Sequence, residues 1–424
     1  MRVMVFCYMH PREDMDGTIL CAYQHAKGIS QKGIETIFIG GRKAKNKPTP
    51  ILEKISDGIL TEYLMDMYSP YIFYRTGLGW QLLRNELDAC IKKFNPDIIH
   101  FHSIMPLGFD FVNKYSSDTC KSVLTLHTYA PLCANDSCTF NDDGSLCDLS
   151  DASQCCRCYP LVQKDIFIRH RQLVLENLEQ VDMLITPGAF AKKLYVAAGI
   201  HPDKIKVIRN GTQFSPIQVE SRREVGKIRL GFVGRNSSLK GLNILLSALL
   251  LLPLDIRNSG AVHLFIFGPL NENDTATFYN VLSEEYVKQV FSFLRPLKSM
   301  ISLYGKFQHA DIPELMSKVD CIVIPSTWWE VTPCVIQEAF ACRKPVVCSN
   351  IGGMAEMVTD HVDGLHFDVG NASDLKDIIL KLLNDKDLLP RLQKCIKAPP
   401  TIENMAEGYI SLYEGLLSPS RGPY

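Results

Sequence analysis

Glu330 and Glu338 lie eight positions apart in Ser326-Thr-Trp-Trp-Glu330-Val-Thr-Pro333-Cys-Val-Ile-Gln-Glu338, and of all the residues they most clearly suggest chemistry. The apolar run 320–325 predicts a buried strand ending just upstream. Thr332 suits an N-cap and Pro333 the first helical position, so a helix is expected over 333–342. A helix start exposes unpaired N–H groups and a partial positive charge, which suits a phosphate bound at the segment Thr332, Pro333 and Cys334. Glu338, about one turn in, would accept hydrogen bonds from a ribose diol. Glu330, in the loop, would sit nearer whatever the phosphate carries. That layout fits a nucleotide-sugar, although two glutamates flanking an apolar segment are common in proteins without such a site.

A second group follows the apolar run 228–234. Gly234 allows a tight turn, and Arg235 and Lys240 place two cations after it. A diphosphate leaving group gains charge as its bond to the sugar breaks, so cations aimed there stabilise the transition state more than the ground state. The competing reading is a solvated basic loop. Arg235 and Lys240 would also make a divalent metal unnecessary, and no Asp-x-Asp metal motif follows a strand. Asn141-Asp142-Asp143-Gly144 reads as a turn. His127 ends an apolar run at 123–126. His100 and His102 alternate in another and are expected to line a strand end. Asp16-Gly17-Thr18 opens a helical pattern after the first strand, where Gly17 would approach a ligand. Gly352-Gly353 implies a turn or a close ligand approach.

Taken together these segments resemble glycosyltransferase family four, the group 1 retaining nucleotide-sugar transferases of the GT-B fold. The resemblance rests on Glu330-x7-Glu338, on Phe232-Val-Gly-Arg235 with Lys240-Gly241, and on Asn210-Gly211. It extends to Pro345–Gly353 with Glu356 and Asp363-Gly364, and to the strands ending at His102 and His127. It covers about residues 1–415. It implies that Glu338 meets the ribose hydroxyls, that Glu330 lies on the donor-sugar side, and that His127 faces the transferred sugar. The family often carries Asp after that histidine and a glycine pair near residue 17. Here Thr128 and a single glycine stand instead. The family is described by departure and attack on one face of the sugar, with anomeric configuration kept.

Six cysteines crowd 133–158: Cys133, Cys138, Cys147, Cys155, Cys156 and Cys158. Cys155-Cys-Arg-Cys158 is a C-x2-C pair of the kind that binds zinc. A subset of the family carries a similar insertion, with cysteines matching Cys133, Cys147, Cys155 and Cys158. A structural zinc on those four is expected, with Cys138 and Cys156 outside its first shell. Disulfides and unpaired thiols are the alternatives.

The elements that must position these residues follow from the pattern. Apolar runs at 2–9, 36–40, 98–103, 121–127, 183–187 and 205–209, then at 228–234, 263–268, 301–305, 321–325, 345–349 and 364–368, read as strands. Helical periodicity between them, as at 79–94, 165–179, 189–198 and 272–291, predicts parallel sheets covered on both faces. The fold expected is α/β: GT-B, two doubly wound Rossmann-like domains facing across a cleft. The boundaries expected are 1–215, the acceptor side carrying the insertion, 216–398, the nucleotide-sugar side, and 399–424, a C-terminal helix that the resemblance returns to the first domain.

A chain of 424 residues with 46% hydrophobic and 21% charged residues fits two globular domains. A net charge of -1 gives no electrostatic case for nucleic acid. The basic run at 42–47 reads as a solvated loop. No signal peptide is expected, because His10-Pro-Arg-Glu-Asp interrupts the first apolar stretch. The run 244–252 is too short to span a bilayer. An odd count of 15 cysteines, many in apolar strands, suits a reducing cytoplasm, with peripheral attachment to the membrane's inner face as the variant. The function expected is a retaining transfer of a hexose-type sugar from a nucleoside-diphosphate-sugar to a hydroxyl of a saccharide or lipid-linked acceptor, as in cell-surface polysaccharide or glycolipid synthesis. No cofactor is expected in catalysis. Alternatives are a nucleotide-sugar epimerase or hydrolase on the same frame, and a catalytically inactive partner subunit.

Overall fold

A computed structural model describes residues 1–43, 52–67, 81–103, 108–117, 119–135, 137, 139, 145–214, 224, 226–270 and 284–418. Several expectations fall outside these residues: part of the 42–47 basic run, Cys138, the 141–144 turn, and 272–283 of the helix expected over 272–291. From Glu284 to Leu294 that helix is present. The chain divides into two units, Met1–Gln213 with Pro400–Tyr424, and Phe214–Pro399.

The first unit contains β1 (Arg2–Cys7), β2 (Glu35–Lys43), β3 (Leu52–Asp57), β4 (Leu60–Met67), β5 (Ile98–Phe101), β6 (Lys121–Thr125), β7 (Met183–Thr186) and β8 (Ile205–Val207). Their order is β3-β4-β2-β1-β5-β6-β7-β8. β1 and β5 are buried along nearly their whole length, as strands covered on both faces must be. β3 and β4 were not expected. They form an antiparallel edge pair whose inward-facing polar residues hide the apolar signal. Buried Asp66 is paired with Arg42, and buried Glu62 with His10 at 3.1 Å. The inner positions of β4 therefore alternate, with apolar Leu60 and Leu64 buried and Glu62 and Asp66 satisfied by ion pairs.

The second unit contains β9 (Ile228–Val233), β10 (Val262–Phe267), β11 (Ile301–Gly305), β12 (Cys321–Ile324), β13 (Val346–Ser349) and β14 (Gly364–Phe367), in the order β11-β10-β9-β12-β13-β14. Its paired strands are all parallel. The apolar 242–250 segment is a helix, and its Leu242, Leu245, Leu246 and Leu249 join Leu230 and Phe232 in one fully buried cluster. Ile322, Ile324, Ile336 and Cys348 form another. Each such leucine, isoleucine or phenylalanine contributes about 1.5–3 kcal/mol by leaving water.

The last helix, Ile402–Leu417, belongs to the first unit and packs on helix Gly17–Gln31. Glycines make this approach close. A Cβ on Gly28 would lie 2.9 Å from Ile402 Cγ2, and one on Gly211 would lie 2.5 Å from the Thr401 carbonyl oxygen. Thr212 N–H donates to Pro400 O at 2.9 Å and Ile402 N–H to Thr212 O at 3.2 Å, so the outgoing and returning chains are tied together. Among the described residues no helix is long and apolar enough to cross a membrane.

Candidate functional site

In the second unit the strand order reverses between β9 and β12, and such switch points open a crevice beyond the strand ends. The loops leaving these neighbouring strands carry Arg235 with Lys240, and Glu330. Gly234 leaves β9 with φ 152°, a conformation open to glycine, and exposed Arg235 follows. Gly241 has φ 68°, and a Cβ there would stand 1.8 Å from the Pro325 carbonyl oxygen, so only glycine fits. That close approach, with Thr327 N–H donating to Leu239 O at 2.9 Å, clamps one loop to the other.

Lys240 Nζ consequently lies 2.6 Å from Glu330 Oε1. The same oxygen accepts from Trp328 Nε1 at 2.8 Å and from Ser326 Oγ at 2.9 Å. The ammonium also sits 5.5 Å from the Trp328 ring centroid. Glu330 is thus a buried carboxylate held by three donors through one oxygen. Oε2 has no partner among the described residues. Ser326 and Trp328 were not singled out from the sequence, although both fall within the stretch that drew attention to Glu330.

The helix after this loop is Cys334–Ala341. It starts one residue later than expected. Thr332 does not cap it, because Pro333 takes the N-cap position with extended ψ 116° and no side-chain cap. No side chain caps this helix, and Ile336 N–H donates to the Pro333 carbonyl at 3.1 Å. Glu338, buried, takes one hydrogen bond, with His309 Nε2 at 2.8 Å from its Oε1. Its Oε2 also has no partner among the described residues. His309 stacks obliquely on Phe214, with ring centroids 5.0 Å apart. No local sequence signal linked it to Glu338. Gly352 and Gly353 have a structural role: Gly353 N–H donates to Glu330 O at 2.8 Å, and a Cβ on Gly353 would meet Val331 O at 1.9 Å. The glycine pair therefore sets the path of the Glu330 loop.

In the first unit, His127 follows β6. It is half-buried, and burial pushes its imidazole down to about 4. Its Nε2 lies 2.7 Å from His102 Nδ1. His102 and His100 sit at the end of β5, both fully buried, with rings stacked at 4.6 Å. Gly17, exposed, is the first residue of its helix. Asp16 caps that helix by accepting from Ile19 N at 2.9 Å.

Residues 16–214 match the model of Glycosyltransferase Family 4, and residues 214–398 match that of the Glycosyl transferases group 1. The chain belongs to glycosyltransferase family four. Putative glycosyltransferase YtcC of Bacillus subtilis is 26% identical over 265 residues, 58% of this chain and 63% of that protein. The family-four chain spans less than two thirds of the length of the curated relatives it matches first. Anabaena HepE, solved with UDP and glucose, superposes with a TM-score of 0.67 at 18% identity, over 98% of this chain and 100% of that one. Sucrose-phosphate synthase from Thermosynechococcus elongatus gives 0.73 at 16% identity, over 99% and 100%. These likenesses show the GT-B fold.

The cysteine insertion of this family-four chain gathers around Arg171, on helix Lys164–Gln180. Burial lowers the Arg171 guanidinium, while Cys155, Cys133 and Cys147 act on it in the opposite direction. Cys155 and Cys158 share one turn of a four-residue helix. Burial pushes the Cys133 thiol up to about 11. Among the described residues, one set of three or more metal-capable side chains has ligand atoms within 4.8 Å of one another, and that set is His25, His100 and His102. No three of Cys133, Cys147, Cys155 and Cys158 are drawn together as closely.

Proposed function

We propose that this chain is a retaining glycosyltransferase that moves a sugar from a nucleoside-diphosphate-sugar to a hydroxyl acceptor. One observation carries the reading. Glu330 and Glu338 are buried, flank one helix start, and are each fixed through a single oxygen while the other has no partner among the described residues. Carboxylates held this way are pre-organised acceptors for hydroxyl groups. Glu338 would take the ribose diol, and Glu330 would lie on the sugar side. The first N–H groups of helix Cys334–Ala341, with Gly234, Thr332 and Pro333 shaping the loops, would meet the diphosphate.

Arg235 and Lys240 would stabilise the departing phosphate. Lys240 has three donors and uses one on Glu330, so it would hold the Glu330 carboxylate while reaching the leaving group. His127 would contact the transferred sugar, and Gly17 the donor or acceptor. UDP-sugars are the first donors to try, since the HepE structure holds UDP and glucose. The experiment is transfer from a panel of nucleotide-sugars to hydroxyl acceptors, with the anomeric configuration of the product read by NMR. An inverted product would overturn the retaining assignment. Release of free sugar whatever the acceptor would point to a hydrolase.

We propose also that Cys133, Cys147, Cys155 and Cys158 hold a structural zinc. The support is Arg171. It is buried, it donates to the carbonyls of Leu149 at 2.8 Å and Leu132, and it has no carboxylate partner among the described residues. A zinc with four thiolates carries two negative charges, which a buried guanidinium would balance.

A further inference from the structure

A single hydrogen-bonded chain runs through the core of the first unit and ends at His127. His127 Nε2 meets His102 Nδ1 at 2.7 Å, and His102 Nε2 meets His25 Nδ1 at 2.8 Å. His25 Nε2 meets the Tyr413 hydroxyl at 2.9 Å, and that hydroxyl also meets His100 Nδ1. His100 Nε2 meets Thr125 Oγ1 at 2.7 Å, which meets the Tyr409 hydroxyl at 3.3 Å. Every member except His127 is fully buried. Helix Gly17–Gln31, β5, β6 and the final helix all contribute.

The direction of this chain follows from counting hydrogens. Each neutral imidazole and each hydroxyl offers one polar hydrogen. Seven groups therefore bring seven hydrogens to six links. One hydrogen is left over, either at an end or on Tyr413 or Thr125, whose hydroxyl would then accept from both neighbours with its own hydrogen buried and without an acceptor among the described residues. If the links point toward Tyr409, its hydroxyl hydrogen is buried with no acceptor among the described residues. If they point toward His127, the extra hydrogen rests on His127 Nδ1, at the residue that keeps solvent contact. Burying an unmatched donor is costly, so the second direction wins.

We infer that Tyr409, Thr125, His100, Tyr413, His25 and His102 form a one-way relay that locks His127 as its Nδ1–H tautomer. His127 then offers an N–H donor, not a base, on its outward nitrogen. The six are positioning residues. If His127 contacts the transferred sugar, as proposed above, it donates to an oxygen of that sugar. The relay also explains the metal-like cluster. All six ring nitrogens of His25, His100 and His102 are already engaged, and none has a lone pair for a metal while the chain stands.

The test is long-range proton–nitrogen NMR on the full chain labelled with 15N-histidine. The chain has 11 histidines, and the His127 signals are those lost in His127→Gln. The result expected is a protonated Nδ1 and a bare Nε2 on His127, His102, His25 and His100 alike. In His102→Leu, His127 loses its donor and becomes a mixture of tautomers, and turnover falls by about tenfold with little change in donor affinity. A protonated Nε2 on His127 in the wild type overturns the inference, as does a stoichiometric metal on the three buried histidines. The wild-type spectrum decides even if His102→Leu fails to fold. It needs no sugar donor, so its failure leaves the transferase reading standing, and a missing donor leaves the spectrum standing.

Discussion

Lys240 Nζ stands 2.6 Å from Glu330 Oε1, joining the loop after β9 to the loop after β12. The pair exists because β9 and β12 are neighbours in the sheet although 90 residues separate Lys240 from Glu330. Removing the lysine leaves Ser326 and Trp328 to hold the carboxylate. Lys240→Ala and Arg235→Ala are therefore expected to fold. Each should lower kcat by about 10²–10³ and raise KM less, because charge on the leaving phosphate is greatest in the transition state. Steady-state kinetics with a verified donor measure this, and wild-type turnover in both variants would remove the leaving-group role.

Glu338→Gln should weaken nucleoside diphosphate binding while leaving the fold intact. The expected loss is about 1.5–3 kcal/mol, or roughly 10- to 150-fold in affinity. Calorimetric titration reads it directly. Unchanged affinity in a folded variant would take Glu338 out of the site.

The buried histidines give stability a pH dependence. Burial holds His25 down at about 3, and His100 and His102 well below their ordinary range. Between the unfolded value of about 6.5 and these folded values, only the unfolded chain binds the protons. Stability is thus fully present above pH 6.5 and is lost as pH falls below it. Each of the three should cost about 1.4 kcal/mol by pH 5.5. Urea unfolding at pH 7.5 and 5.5 measures the sum, and equal stability at both would contradict it.

Activity should persist in EDTA, because on the proposed reading Arg235 and Lys240 would serve the diphosphate in place of a metal. Loss of all activity with recovery on adding magnesium or manganese would contradict this, provided the cysteine cluster stayed intact. Protein purified under reducing conditions should carry about one zinc, the number one closed four-thiolate shell holds. Zinc well below one equivalent with paired cysteines would establish disulfides instead, and low zinc with all thiols unpaired would remove both.

The second unit was the more legible from sequence. Its strands are continuous apolar runs, and Arg235, Lys240, Glu330 and Glu338 follow them closely, so local spacing drew attention to these residues. The edge pair β3–β4 escaped because Glu62 and Asp66 put buried charge, paired with His10 and with Arg42 of β2, where an apolar pattern was needed. His309 escaped because its link to Glu338 spans 29 positions. The relay behind His127 was beyond any local reading, since His100 and Tyr413 are 313 positions apart. The start of helix Cys334–Ala341 shifted because a proline held extended takes over the cap position that threonine would have filled.

Tyr409 and Tyr413 reach the histidine core from the final helix, which the chain makes after the whole of Phe214–Pro399. The second unit is continuous and can finish as soon as it leaves the ribosome. The first begins earlier yet closes last: until about residue 413 emerges, His25 and His100 lack the Tyr413 hydroxyl that joins them and Gly28 has nothing to pack on. Synthesis order thus delays completion of the His127 end until the rest of the protein exists, and a chain cut short before Pro400 would have its sheet but no finished core.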